Sequence, residues 1–296
     1  MTTLSVLRER RRRRRERPAE QPPGGLGGTP ISYVVLTLLG LFAILPVFVL
    51  LFNSLKTSLQ IGSNPLGWPT SAEFSNFAEA WRRGNMARGF ANTAYLVAGT
   101  ILGTWLLAGA AAYSLARLNL PWKRGIETYL FVIISLPAQM FIVPLFFLWV
   151  KLGLINTLTG LVIIYVATNT PFSVLLLRTF LVGIPRELDE AARIDGANEW
   201  QVATRIILPV SWPGFLTVGL VAGLGAYSEL LFAVNFLIDV EKMPVATSFL
   251  QFSTGYSQLY NLVNAAGVII VLPLIVIFLL MQRRFIAGLA ASGTKG

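Results

Sequence analysis

The sequence has no cysteine and no histidine among its 296 residues. That excludes disulfides, thiol nucleophiles, Cys/His zinc sites, histidine-based triads and haem held by either residue. The usual general base at neutral pH is missing too, which weakens most enzymatic readings. Charge is scarce: Asp, Glu, Lys and Arg make up 13% of the chain, about half the share in a soluble domain. No G-x-x-x-x-G-K-[ST] phosphate loop occurs, so the chain itself is not expected to bind ATP.

What is present is apolar. Hydrophobic residues reach 54%, and they gather in runs near the roughly 20 residues that a membrane-crossing helix needs. Six stretches qualify: about Ile31–Phe52, Thr93–Leu115, Thr128–Val150, Gly160–Leu181, Gly214–Val234 and Leu262–Met281. The expected class is an all-α membrane protein with six transmembrane helices. Residues 1–30 form a basic, disordered tail, 31–282 the membrane domain, and 283–296 a C-terminal tail.

The net charge is +10, and residues 1–30 hold eight Arg against three Glu. The unbroken run Arg10 to Arg15 could bind nucleic-acid phosphates. An apolar span follows at once, so the expected role is a cytoplasmic tail that fixes orientation and touches anionic lipid, with no nucleic-acid partner. With the N-terminus in the cytoplasm, 18 of the 24 basic residues fall on the inner side. Both termini, and the loop at 182–213, are then cytoplasmic.

Charge inside the spans is nearly absent. Glu229, in AYSELLFAV, is the exception. An intramembrane acid marks a functional site by default; the alternative is an acid in a water-filled vestibule or paired with an interfacial donor. A lone acid argues against an ion-coupled carrier, which usually needs several buried polar groups. The segment Asn235–Tyr260, polar and aromatic, has two readings, a mobile connection or a docking surface. Phe74–Trp81 fits a short amphipathic surface helix.

The most polar helix-prone stretch lies in the 182–213 loop. Leu188–Ile194 reads as a short helix with Asp189 and Glu190 at its positive end. Gly196 is placed to stop it in a left-handed cap. Asn198 with Gln201 reads as a capping box for a second helix that stops near Pro209. Two short helices at a fixed angle would make a rigid knob between two spans.

Glu190-Ala191-Ala192, three residues, Gly196, nine residues, then Ile206-x-Leu208-Pro209 resembles the EAA motif of permease subunits of binding-protein-dependent ABC importers. The ending QRRFIAGLAASGTKG and Asp195–Ala197 look like the sugar branch, with subunits similar to the maltose permease protein MalG. AYSELLFA resembles that branch's W-N-E-x-L-F-A segment, with Tyr227 and Ser228 in place of Trp and Asn. The resemblance implies a MetI-like fold: five core helices plus one N-terminal span. It implies that the loop is a coupling helix docking in a cleft of an ATPase subunit, with Glu190, Ala191, Ala192 and Gly196 as its core. Asp189, Arg193, Asp195 and Ala197 would flank that core. It implies a second permease subunit, two ATPase subunits holding ATP and Mg, an extracytoplasmic sugar-binding protein, and no cofactor on this chain. Gln139, Asn169, Tyr227 and Glu229 are candidate pathway residues. Phe249, Phe252 and Tyr256 are candidate contacts to the binding protein. The remaining alternatives are an importer of another solute, such as glycerol phosphate, and a secondary transporter.

Overall fold

The computed structural model describes the backbone of residues 30–254 and 257–293, and the side chains within that range except those of 253–258 and 281–293. Residues 1–29, Tyr256 and 294–296 lie outside it, and with them the basic tail and one expected docking aromatic. The described residues are helical nearly throughout. Its helices are α1 Pro30–Ser54, α2 Ser58–Ser63, α3 Ser75–Arg83, α4 Met86–Arg117, α5 Lys123–Ser135, α6 Ile142–Leu152, α7 Leu158–Val182, α8 Glu187–Ile194, α9 Glu199–Ser228, α10 Leu231–Phe236 and α11 Tyr260–Gly293. Two compact units divide at Val49/Leu50, and α1 belongs to the first as far as Val49.

Among the described residues, five helices are long and apolar enough to cross a membrane: α1, α4, α7, α9 and α11 as far as Leu280. The expected third span, Thr128–Val150, is not one straight helix. It is α5 followed by a 3₁₀ turn at Ala138–Phe141 and α6, with an 87° bend between the two arms. Pro137 explains the break. It has no N–H to donate and disfavours the helical region for the residue before it; Leu136 is extended, at φ −88° and ψ 131°.

The fifth span departs from expectation at both ends. Pro209 does not stop a helix. Val202–Ile207 forms a π-helical turn, and the chain runs on through Pro209 and Pro213 to Ser228. A π turn shifts the hydrogen-bond register just ahead of the proline, which has no N–H to donate. At the far end the helix breaks at Glu229 and resumes as α10.

Close packing of α4, α7 and α9 makes the body of the second unit. Glycines set the spacing. A Cβ at Gly103 would lie 2.6 Å from Val166 Cγ2, and one at Gly219 would lie 2.8 Å from the Trp105 indole. Small residues on α4 and α9 thus let the helices approach closely, as such residues do in membranes. Trp105 covers Gly219 and donates its Nε1–H to the Phe215 carbonyl at 2.8 Å. One buried cluster, with Ala112, Leu177, Leu181, Ala192, Ile207 and Val218, lies at the α8 end of these helices. Another, with Leu96, Tyr165, Phe232 and Phe236, lies at the opposite end.

The connection between α1 and α4 is ordered by polar anchors. Lys56 is buried, and its ammonium donates to Asn53 Oδ1 at 2.9 Å, the Asn64 carbonyl at 3.0 Å and the Pro65 carbonyl at 3.3 Å. Burial lowers its pKa from the ordinary lysine value. The short amphipathic helix expected at Phe74–Trp81 is α3, shifted to Ser75–Arg83.

Candidate functional site

The coupling segment has the local geometry its residues dictate. Helix α8 carries Glu187, Asp189 and Glu190 in its first turn, at the positive end of its dipole. It ends in a Schellman motif. Gly196 takes φ +85°; its N–H donates to the Arg193 carbonyl at 3.1 Å, and that of Ala197 to the Ala192 carbonyl at 2.9 Å. Asn198 and Gln201 then form a capping box, each side chain bonded to the other's backbone N–H at 2.9 Å. So α8 turns through four residues, 195–198, into α9, and the second helix of the knob is the first part of a spanning helix.

The motif residues divide by face. Glu190, Ala191, Arg193, Asp195 and Gly196 are exposed, while Ala192 is buried in the core cluster beneath. Ala197 and Ile206 pack partly against the same cluster, and Leu208 and Pro209 are exposed. Beside the exposed motif residues stand Ile194, 86% exposed, and Trp200, 77% exposed. These two large apolar side chains are largely exposed next to small ones.

Asp189 departs from the expected set. It faces the body of the protein, not the outside. Its side chain is 4% exposed, and Oδ2 lies 3.5 Å from Nε of Arg117, itself 2% exposed, on the last turn of α4. The i,i+3 spacing explains this, because it places Asp189 on the face that buries Ala192. A flanking contact to another subunit would need the opposite face. Arg117 Nη2 also donates to the Ile184 carbonyl at 3.0 Å. A second polar contact lies nearby: Arg193 pairs with Glu199 at 2.8 Å, and Tyr113 of α4 donates to Glu199 at 3.2 Å. The hydrogen bond to Glu199 raises the Arg193 pKa above its ordinary value.

The expected pathway residues do not form one site. Glu229 sits at the helix break. Its carboxylate accepts the Phe232 N–H at 3.0 Å, the Ala233 N–H at 3.2 Å and the Tyr165 hydroxyl at 2.9 Å. It therefore caps α10 and ties it to α7. Asn169, one turn along α7 from Tyr165, donates to the Tyr165 carbonyl at 2.8 Å and faces Gly225. Tyr227 points the other way, donating to the Ile270 carbonyl of α11 at 2.8 Å. Gln139 is exposed on the 3₁₀ turn of the bent pair, apart from the other three.

The described part of the Asn235–Tyr260 segment is folded against the bundle. Asn92 donates to the carbonyls of Glu241 at 2.8 Å and Met243 at 3.0 Å. Thr93 Oγ1 accepts from Val245 N–H at 2.9 Å, and Asn156 Oδ1 accepts from Ile238 and Asp239 at 3.0 Å each. Phe252 is fully buried with Ala80, Met86 and Leu262, so it belongs to the core, and Phe249 packs partly against it. Neither is a free docking aromatic. Ile238 at 71% exposed, Val240 at 53% and Leu250 at 48% are open apolar side chains among the described residues of this segment.

Residues 105–290 match the family described as "Binding-protein-dependent transport system inner membrane component". The chain belongs to that family. Among its relatives, the diacetylchitobiose uptake system permease protein NgcG of Streptomyces coelicolor is 33% identical over 266 residues, covering 89% of this chain and 88% of that protein. The melibiose/raffinose/stachyose import permease protein MelC of Bacillus subtilis is 32% identical, covering 85% of this chain and 91% of that protein. A chain of a bacterial ABC transporter involved in the import of alginate has the same fold, with a TM-score of 0.75 at 20% identity, over 89% of this chain and 100% of the other. The chain is thus a multi-pass inner-membrane permease with the MetI-like architecture.

Within this permease, sequence reasoning missed Arg117. It counted there only as a positive charge at the end of a span. The signal available was the pairing of an acid, Asp189, on the apolar face of a short helix with a base at the end of a small-residue span.

Proposed function

We propose that this permease is the membrane subunit of an ATP-driven importer for a carbohydrate, delivered by an extracytoplasmic binding protein. The carbohydrate class rests on relatives named for diacetylchitobiose and for melibiose, raffinose and stachyose. Both termini and the α8 end face the cytoplasm, as the basic-residue count favours. Two ATPase subunits and a second permease chain complete the assembly, and the ATP and Mg belong to the ATPases. The observation that carries the mechanism is the α8 geometry: an exposed Glu190–Ala191 face and Ile194, held by a Schellman turn that leads straight into α9.

The physical logic is alternating access. A soluble subunit gripping α8 would move the start of α9 with it, since only the four residues 195–198 separate them. Glu190, Ala191, Arg193, Asp195 and Gly196 form the gripped surface, with small side chains where another backbone comes close. Solute would pass along the bundle where α9 breaks at Glu229, because the exposed end of a broken helix offers free backbone groups only where protein or water satisfies them. The test is ATP hydrolysis by the assembled complex with its binding protein and a panel of oligosaccharides. Stimulation by one saccharide supports the reading, and stimulation by glycerol phosphate or an amino acid alone overturns the carbohydrate assignment.

A further inference from the structure

Helix α8 is joined by the chain to α7 and α9, yet its sideways polar contacts run to α4. Asp189 meets Arg117, and Glu199, just past the turn, meets Tyr113. Tyr113 and Arg117 are four residues apart, so one face of the last turn of α4 receives both. The Arg117–Asp189 pair is almost completely buried, at 2% and 4% exposed, in a cluster of Ala112, Leu115, Leu181, Ile184 and Ala192.

A buried ion pair is a poor way to gain stability, because desolvation of two charges offsets their attraction and an apolar pair of the same volume does as well or better. What such a pair supplies is a fixed register between two elements. The guanidinium also holds the Ile184 carbonyl, so a single side chain clamps the α7–α8 corner and α8 to α4. The clamp is incompletely closed. Arg117 Nε and Asp189 Oδ1 have no hydrogen-bond partner, and the nearest approach is 3.5 Å. A small shift of α8 toward α4 would bring donor and acceptor into a charge-assisted hydrogen bond.

We propose that Arg117 is a positioning residue: through its buried pair with Asp189 it makes α4 follow α8, so that movement imposed on α8 reaches a helix to which it is not adjacent in the chain. This rests on the proposed function, in which an ATPase moves α8. The absence of cysteine allows a clean test. Glu187→Cys on α8 and Ala87→Cys at the far end of α4, both exposed positions, take spin labels in the assembled complex with cysteine-free partners. Their distance is measured with and without ATP, beside solute-stimulated hydrolysis, in the wild-type background, Arg117→Lys, Asp189→Asn and the apolar double variant Arg117→Met/Asp189→Leu.

With the clamp intact, the α8–α4 distance is the same in both nucleotide states, and Arg117→Lys, which keeps the charge, preserves this. In the double variant the distance becomes nucleotide-dependent and the ratio of stimulated to basal hydrolysis falls about fivefold or more. Asp189→Asn, which keeps the shape, shows the same two changes in weaker form and decides the matter if the double variant fails to assemble. A nucleotide-dependent distance in the wild-type background overturns the proposal. So does a double variant with constant distance and full stimulation. Absence of solute stimulation in every background overturns the functional reading instead, and the distance still reports whether α4 follows α8 on ATPase docking.

Discussion

Gly196 separates backbone strain from contact with a partner. It holds φ +85°, and a Cβ placed on it meets nothing within 4 Å in this chain. Substitution therefore costs conformational energy alone in the isolated permease. For alanine in the left-handed region that is roughly 1–2 kcal/mol. Asparagine tolerates this region better, so its cost is lower, about half as much or less. Thermal unfolding of the purified permease should then rank glycine above asparagine above alanine. Coupling should rank differently if the exposed turn meets an ATPase, because the larger asparagine blocks a close approach that alanine only crowds. Solute-stimulated hydrolysis should then rank glycine above alanine above asparagine. A reversal of order between the two assays is the expected result. The same order in both would mean that strain alone explains the losses, and that no subunit approaches this turn.

Other positions give independent checks. Gly103→Ala should destabilise the permease by about 1–3 kcal/mol by overpacking against Val166, and adding Val166→Ala should restore most of the loss in denaturant unfolding. Lys56→Met should lower stability by about 1–3 kcal/mol, because two backbone carbonyls and Asn53 lose their shared donor; differential scanning of the purified chain reads it. Glu229→Gln keeps an acceptor for the Phe232 N–H and the Tyr165 hydroxyl, so uptake should survive. Glu229→Ala removes the cap at a cost of about 1 kcal/mol. Loss of uptake in the glutamine variant with normal stability would make Glu229 a titrating group of the transport step.

Much of the architecture was readable because membrane burial leaves a coarse signal. The apolar runs for α1, α4, α7 and α11 follow from length and composition. The α8 turn was readable because Gly196 and the Asn198–Gln201 pair act locally, within a few residues. Where the outcome depends on neighbours, the sequence was ambiguous. Pro137 breaks its span while Pro46, Pro209 and Pro273 lie within continuous helices. The difference lies in how nearby backbone groups are satisfied, as in the π turn before Pro209. Phe252 and Asp189 are an aromatic and an acid in polar segments, which reads as exposed. Both are inward because the segments fold back onto the bundle, Phe252 onto α3 and α11 and Asp189 onto α4. The divided pathway residues have the same cause: Asn169, Tyr227 and Glu229 serve helix contacts on different sides of the α9 break.

The central claim is that ATP hydrolysis by partner subunits drives this permease. Uptake into proteoliposomes tests it most directly, with the complete complex, its binding protein and a radiolabelled saccharide identified from the hydrolysis panel. ATP is sealed inside one set of vesicles; the other set carries only proton and sodium gradients. Uptake is expected with internal ATP and no gradient, and Gly196→Asp should abolish it. Uptake that follows the gradients without ATP would contradict the central claim and make the chain a secondary transporter.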